Sequence, residues 1–294
     1  MKKKSISRDI SHRIEYMILL FCGVVIRAMP VAFTYFLIKI LGIIAFRILR
    51  IRRDVTIENL RIFAGSDVEE KELNKIACQA YKHIGTTFIE ILLIPKFARN
   101  ILDIVDMSEM ETAQKVYQEG RGIIFVSGHF GSWELNGGSL AASGFPVTTV
   151  ARSQSNTYVD ELINRYRELF GMKVVRTGAP LKYLIRALRN GETIGLISDQ
   201  DSGKKGVFVD FFGRKASTPQ GAAQLALKYK APVFVIMTIR TGTGRYKTLF
   251  REVPVYPDDS VETLTQRYTK EMENIIHAYP EQYFWMHRRW KTEI

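Results

Sequence analysis

The chain has 294 residues, 46% hydrophobic and 24% charged, which excludes a disordered polymer and suffices for one large core or two modest ones. Its 2 cysteines, Cys22 and Cys78, exclude a disulfide-stapled secreted scaffold and a cysteine-based zinc site, so an intracellular or cytosol-facing chain is expected. Lys and Arg number 42 against 30 Asp and Glu, a net charge of +12, so nucleic acid, anionic lipid and acidic proteins are the partners to weigh.

Residues 1–53 hold 11 basic and 2 acidic residues, leaving a net of only +3 on the other 241. The same stretch carries the most apolar runs, Met17–Ile26 and Val31–Leu49, the second interrupted by Lys39 and Arg47. Basic residues flanking apolar helix are the pattern of an anchor meeting anionic headgroups. A cleavable signal peptide is rejected, because Arg27 and a second apolar run stand where a small-residue cleavage site belongs. Neither run alone reaches the roughly 20 residues that cross a bilayer. With Pro30 between them, a kinked segment or helical hairpin inserted from the cytosolic leaflet suits the pattern about as well as one tilted span, and a buried helix pair is the rival. The expected organisation is a membrane anchor over 1–53 and a catalytic domain over 54–294. Nucleic acid is set aside, since the basic surplus lies beside the apolar runs and not on an aromatic platform.

Beyond the anchor, residues 59–63 and 69–94 show apolar positions three and four apart and predict amphipathic helices. From residue 122 short β-branched runs begin at 123–127, 147–151, 173–175, 193–198 and 233–239, with helical patterns at 159–170, 181–190 and 219–229 between them. This alternation predicts an α/β fold, a mainly parallel sheet flanked by helices with its site at the carboxyl ends of the strands. Residues 245–252 read as an added edge strand and 261–279 as a closing helix. No internal repeat, low-complexity tract or linker is evident.

The first strand runs into Ser127-Gly128-His129-Phe130-Gly131-Ser132-Trp133-Glu134. A histidine leaving the carboxyl end of a buried strand between two glycines sits where such sheets present reactive groups. On one straight helix His129 and Glu134 would lie about 140° apart, but with His129 in the turn and Glu134 in the first helical turn they can converge. A carboxylate on one ring nitrogen fixes the tautomer and leaves the other to take a proton from a hydroxyl, so His129 is expected as general base and Glu134 as its orienting partner. A buried histidine tied to a carboxylate for stability alone is the bland alternative. There is no G-x-S-x-G elbow, H-E-x-x-H, phosphate loop or dinucleotide-binding G-x-G-x-x-G, and His12, His83, His277 and His287 lack metal-ligand spacing. No metal or cofactor is expected.

The block G-H-F-G-S-W-E at 128–134 resembles the H-x4-D/E motif of lipid acyltransferases, and its Glu variant resembles the late acyltransferases of lipid A biosynthesis, the lauroyl and myristoyl transferases. Further blocks follow in order: Arg152, Asn156, Asp160 and R-x-x-F-G at 167–171; Ser198-Asp199-Gln200-Asp201 running to Gly206–Gly213 and Thr218-Pro219; and Trp285-Met286-His287-Arg288-Arg289-Trp290-Lys291. With the apolar N-terminus and Asn59-Leu60, the resemblance spans nearly the whole chain. Asp210 stands where many relatives are expected to carry proline, and Asp199-Gln200-Asp201 replaces the E-G-T-R-like block of glycerophosphate acyltransferases.

The resemblance implies transfer of an acyl chain from an acyl thioester, with acyl carrier protein as donor, to a hydroxyl of a lipid A precursor. That reaction would take place on the cytosolic side of the inner membrane. It assigns Arg152, Asn156, Arg167, Asp199, Gln200 and Asp201 to substrate or oxyanion binding, a guanidinium fork suiting a phosphate or a developing oxyanion. Phe208, Phe211 and Phe212 are expected to line the acyl chain, and Arg288, Arg289 and Lys291, or the collar at 47–53, to dock acidic acyl carrier protein. Another glycolipid or a lysophospholipid as acceptor, and a noncatalytic lipid-binding protein, are the alternatives.

Overall fold

The computed structural model describes residues 2–65, 68–176, 178 and 181–293, with side chains from residue 8 onward, so the lysine side chains at 2–4 lie outside it. In chain order the elements are α1 (Lys2–Ala28), α2 (Val31–Arg47), α3 (Arg53–Ala64), α4 (Glu70–Phe97), α5 (Ile101–Ile104), β1 (Val105–Asp106), α6 (Glu111–Gln118), β2 (Ile124–Ser127), α7 (Trp133–Ala142), β3 (Val147–Ala151), α8 (Thr157–Glu168) and β4 (Lys173–Arg176). They continue with α9 (Lys182–Arg189), β5 (Thr193–Ile197), the β6–β7 hairpin (Val207–Phe211 and Arg214–Thr218), α10 (Gly221–Tyr229), β8 (Val233–Gly242), β9 (Arg245–Val253) and α11 (Val261–Ala278).

The main sheet has the order β1-β9-β8-β2-β5-β3-β4, parallel throughout except for the antiparallel pair β8–β9. Side chains alternate across a strand, so the apolar run of β2 serves two cores. Ile124 and Val126 join one with Val233, Val235 and Met237, beneath α10 and α11, while Phe125 joins the other with Phe234, Ile236, Leu135 and Leu140, beneath α7. The chain leaves β2 for β3 and β4 and returns to place β5 between β2 and β3. That reversal opens a crevice at the carboxyl ends of β2 and β5, where α/β sheets bind their ligands.

The N-terminus departs from the anchor expected of it. Pro30 does separate two helices, but no helix among the described residues is long and apolar enough to cross a membrane. Both helices are packed on the body. A side chain on Gly42 of α2 would meet the backbone of Tyr81 and Lys82 on α4 at 2.9 Å, so only glycine allows that approach. Arg27 of α1 donates to the Leu92 carbonyl and the Tyr166 hydroxyl, and Asn156 donates back to the His12 carbonyl and Glu15. These bonds cross the boundary drawn at residue 53. What stays exposed is an outer apolar face that includes Ile14, Met17, Ile18, Phe21, Phe36, Ile40 and Leu41.

If α2 is a wall of the folded body, Gly42→Val must separate it from α4, at the 1–3 kcal/mol typical of overpacking. A lowered midpoint for unfolding of the whole chain in detergent is the expected result. An unchanged midpoint would mean that α2 is only tethered.

Candidate active site

The site follows from strand register. Ser127 of β2 lies opposite Ile197 of β5, so two residues further along each strand His129 and Asp199 leave side by side. Asp199 Oδ1 accepts from His129 Nδ1 at 2.8 Å, and its Oδ2 accepts from the His129 backbone N–H at 2.8 Å. The carboxylate is 2% exposed and the imidazole 26%, so one side of the pair is sealed and the other faces the crevice. With Nδ1 committed, Nε2 is the nitrogen free to take a proton. Burial alone would lower the imidazole pKa, but the Asp199 charge and hydrogen bond outweigh it, helped slightly by Glu134, and the pKa is raised. For Asp199 burial pushes upward, and the His129 charge, both hydrogen bonds and Arg289 pull its pKa below the ordinary value.

Glu134 is therefore not the orienting partner expected of it. It begins α7 and takes Arg167 of α8 in a two-pronged pair, Nε at 2.8 Å and Nη2 at 2.6 Å, while Arg167 Nη1 donates to Asn164. The spacing of five residues brings Glu134 near His129, but the fork of Arg167 occupies both its oxygens. Burial alone would lower the Arg167 pKa by disfavouring its cation, yet the Glu134 hydrogen bonds and charge raise the pKa and keep it cationic.

The loop between β2 and α7 is held largely through its own backbone groups. Gly131 donates its N–H to the Gln282 carbonyl, Ser132 to the Thr238 carbonyl, and Phe284 donates to the His129 carbonyl. Gly131 has φ +51°, and a Cβ there would lie 2.0 Å from the Thr238 oxygen, so no other residue fits. Gly128 gives the Asp199 carboxyl room to lie against the loop, a Cβ there being 3.2 Å from it. Behind the loop, Thr87 Oγ1 and Arg240 Nη2 both donate to the Gly131 carbonyl at 3.0 and 3.1 Å. Arg240 is clasped by Glu90 at 2.7 and 2.5 Å, and Glu90 also accepts from Tyr35 and Tyr246. Sequence reasoning missed Thr87, Glu90, Arg240 and Gln282; a Glu on the apolar face of α4 and an Arg ending the apolar β8 were the available signals.

His129 opens on a cavity of about 980 Å³ walled by Leu92, Phe125, Leu140, Val147, Leu162, Tyr166, Met172 and Ile236, with Leu19 of α1. Trp133 and Phe284 stand beside the imidazole, ring centres 5.3 and 6.1 Å away. Arg152, Arg167, Glu134, Gln200 and Asp201 line the cavity. Asn156 does not: its oxygen caps α8 and its amide holds α1.

The phenylalanines proposed for the acyl chain are elsewhere, since none of Phe208, Phe211 and Phe212 is among the lining residues. Phe211 is buried under the Arg289 guanidinium at 5.1 Å, and Phe212 packs against Phe63, His277 and Trp285. Both lie in the core cluster of the opposite sheet face, because their hairpin leans on α11. Asp210 in that hairpin donates its N–H to Gln266 Oε1 at 2.6 Å, a bond proline cannot make. Arg289 is likewise no docking residue: it is 2% exposed and donates to the Ser217 carbonyl and the Thr218 hydroxyl, leaving Arg288 and Lys291 on the surface.

A model of the family described as bacterial lipid A biosynthesis acyltransferase matches residues 1–292. The chain belongs to that family. It is 29% identical over 257 residues to the lipid A biosynthesis lauroyltransferase of Escherichia coli, covering 86% of this chain and 83% of the relative. The lipid A biosynthesis myristoyltransferase of the same species is 26% identical over 64% of this chain and 59% of its own. A phosphatidylinositol mannoside acyltransferase of Mycolicibacterium smegmatis is 28% identical over 66% of this chain, which spans 64% of that relative's length. Acyl transfer is thus the chemistry that His129, Asp199 and the cavity of this acyltransferase have to account for.

An imidazole base works only when neutral, so if His129 is that base, activity should fall as pH drops through its raised pKa. Asp199→Asn removes the two main causes that raise that pKa and leaves burial, which lowers it, against the smaller pull of Glu134. The acid limb of the pH–rate profile should therefore move to lower pH, while the plateau falls by about 10² to 10⁴. Glu134→Gln should leave the limb nearly in place. The reverse pattern would restore Glu134 as the partner.

Proposed function

We propose that this acyltransferase moves a fatty acyl chain from an acyl carrier protein thioester to a hydroxyl of a lipid A precursor, on the cytosolic face of the inner membrane. The observation that carries the reading is His129 Nε2, without a hydrogen-bond partner among the described residues, on the lining of a largely apolar cavity. The acceptor hydroxyl gives its proton to Nε2 as its oxygen attacks the thioester carbonyl, and Asp199 stabilises the imidazolium. The carbonyl π pair moves onto oxygen. When the tetrahedral intermediate collapses, the C–S bond breaks and the departing sulfur takes the proton from Nε2. No protein nucleophile is needed.

The oxyanion requires donors in place beforehand. Backbone N–H groups 129–132 are already bonded within the fold, to Asp199, Gly128, Gln282 and Thr238. The Arg167 N–H groups that Glu134 and Asn164 do not take, and the amides of residues 133–135 at the start of α7, which have no intrahelical acceptor, are the donors assigned to it in this reading. The exposed apolar face of α1 and α2, bordered by Arg8, Arg13, Lys39, Arg47 and Arg50, supports residence on an anionic lipid surface without a spanning helix. Arg288, Lys291 and the exposed arginines at 47, 50 and 52 support docking of an acidic donor protein.

His129→Ala should lose about 10² to 10⁴ in turnover while still folding, at a lowered midpoint because buried Asp199 loses its ring partner; near wild-type acylation by a folded His129→Ala protein defeats the mechanism. Leu162→Phe, which intrudes on the cavity, should lower kcat/KM for the longest acyl donors more than for short ones, as measured across a series of chain lengths. Equal efficiency with acyl carrier protein and coenzyme A thioesters, insensitive to salt, would point away from a protein donor. Acylation of a phosphatidylinositol mannoside and of no lipid A precursor would move the acceptor to the mannoside branch.

A further inference from the structure

A second cavity, of about 420 Å³, lies behind the catalytic loop and shares no lining residue with the first. Its walls come from α2 (Tyr35, Lys39), α4 (Gln79, Lys82, His83, Thr86), the end of β8 and the turn after it (Arg240, Thr241, Gly242, Thr243), and Glu281 with Gln282. The reaction derived above uses none of it as a binding site. Its volume falls in the range of small-molecule sites, about 300–1,000 Å³.

The charges around it are unbalanced. Lys39 and Lys82 make no ion pair among the described residues, and Glu90, which could neutralise them from below, is committed to Arg240. Glu281 is the one carboxylate among the lining residues. Burial, then Arg240, Lys39 and Lys82, push the His83 pKa down to about 3, so three cations converge on one neutral ring. Arg240 Nη1 lies 3.5 Å from His83 Nδ1, which makes Nδ1 the acceptor and leaves the ring proton on Nε2. Nε2–H has no hydrogen-bond acceptor among the described residues and joins the two ammonium groups as an available donor.

We propose that this cavity is a phosphate-binding site, filled by a phosphate monoester or diester whose oxygens take Lys39, Lys82 and His83 Nε2–H. A phosphate supplies the missing negative charge and an acceptor for each of these donors. Phe36, one helical turn from Lys39, and Ile40 beside it are exposed and apolar, so a phosphate carrying acyl chains has a surface for them next to the cavity. Inorganic phosphate and a phospholipid headgroup share the chemistry; the experiment separates them.

The full-length chain, labelled in its histidine rings, is studied by NMR in neutral maltoside micelles at constant ionic strength. It is titrated with inorganic phosphate in one arm and with phosphatidylglycerol doped into the micelles in the other. The His83 resonances should shift saturably and its pKa should rise from its low value. Lys82→Gln and Lys39→Gln, whose side chains reach the surface, should each weaken the apparent affinity about tenfold or more. Saturation by phosphatidylglycerol alone assigns the site to a headgroup, and saturation by both assigns it to the phosphate group itself. Shifts absent in both arms, or unchanged in both lysine variants, overturn the proposal. Because acylation is not the readout, the result stands apart from the fate of the His129 mechanism.

Discussion

Asp199 has to satisfy two donors of the same residue at once, the ring Nδ1–H and the backbone N–H of His129, each at 2.8 Å. That double demand sets both where the imidazole points and where the loop carrying it can run. It explains why residue 128 has no side chain, why β2 and β5 must be immediate neighbours, and why the aspartate is sealed while the ring keeps one open side. Charge-assisted bonds to a buried carboxylate are strong only while their geometry is kept, so much of the fold around the loop serves that geometry.

The most buried ion pair among the described residues is Glu90–Arg240, 1% and 5% exposed. Bringing two charges into a core costs several kcal/mol per ion before their attraction is counted, and a hydrophobic pair would often do as well for stability alone. Here the guanidinium has a further function: beside Glu90 it reaches Thr87 and the Gly131 carbonyl, tying α4 and β8 to the turn that His129 starts. The C-terminal segment completes the clasp through Gln282 and Phe284, which explains how residues more than 150 positions away come to hold the loop.

Much of the sheet was legible from residues, because the β-branched runs at 123–127, 147–151 and 233–239 alternate with helical periodicity, and strands form at each. Residue 129 could be placed at a strand end for the same reason. Its partner could not be derived, since the contact to Asp199 depends on strand order and register, which no local pattern encodes; Glu134, nearer in sequence, was the natural choice and is claimed by Arg167. The phenylalanines of 208–212 misled in a similar way. Aromatic residues beside a functional block look alike whether they line a cavity or fill a core, and here the hairpin turns them toward α11. The N-terminal runs read correctly as helices broken at Pro30, but composition alone could not tell a helix that spans lipid from one that closes a protein cavity.

Leu19 belongs to the same helix whose outer face carries Met17, Ile18 and Phe21, and that helix is fastened to α8 through Asn156 and to Tyr166 through Arg27. The inner side of α1 is therefore one wall of the apolar cavity, while its outer side is exposed. Shortening the chain to make it easier to handle would strip a wall from the chamber, flooding it, so weak activity in such a fragment would report a wetted interior as much as a lost surface. Natural sequence drift on this helix is therefore held from two sides, the inner residues by the cavity they close and the outer ones by whatever the exposed apolar face meets.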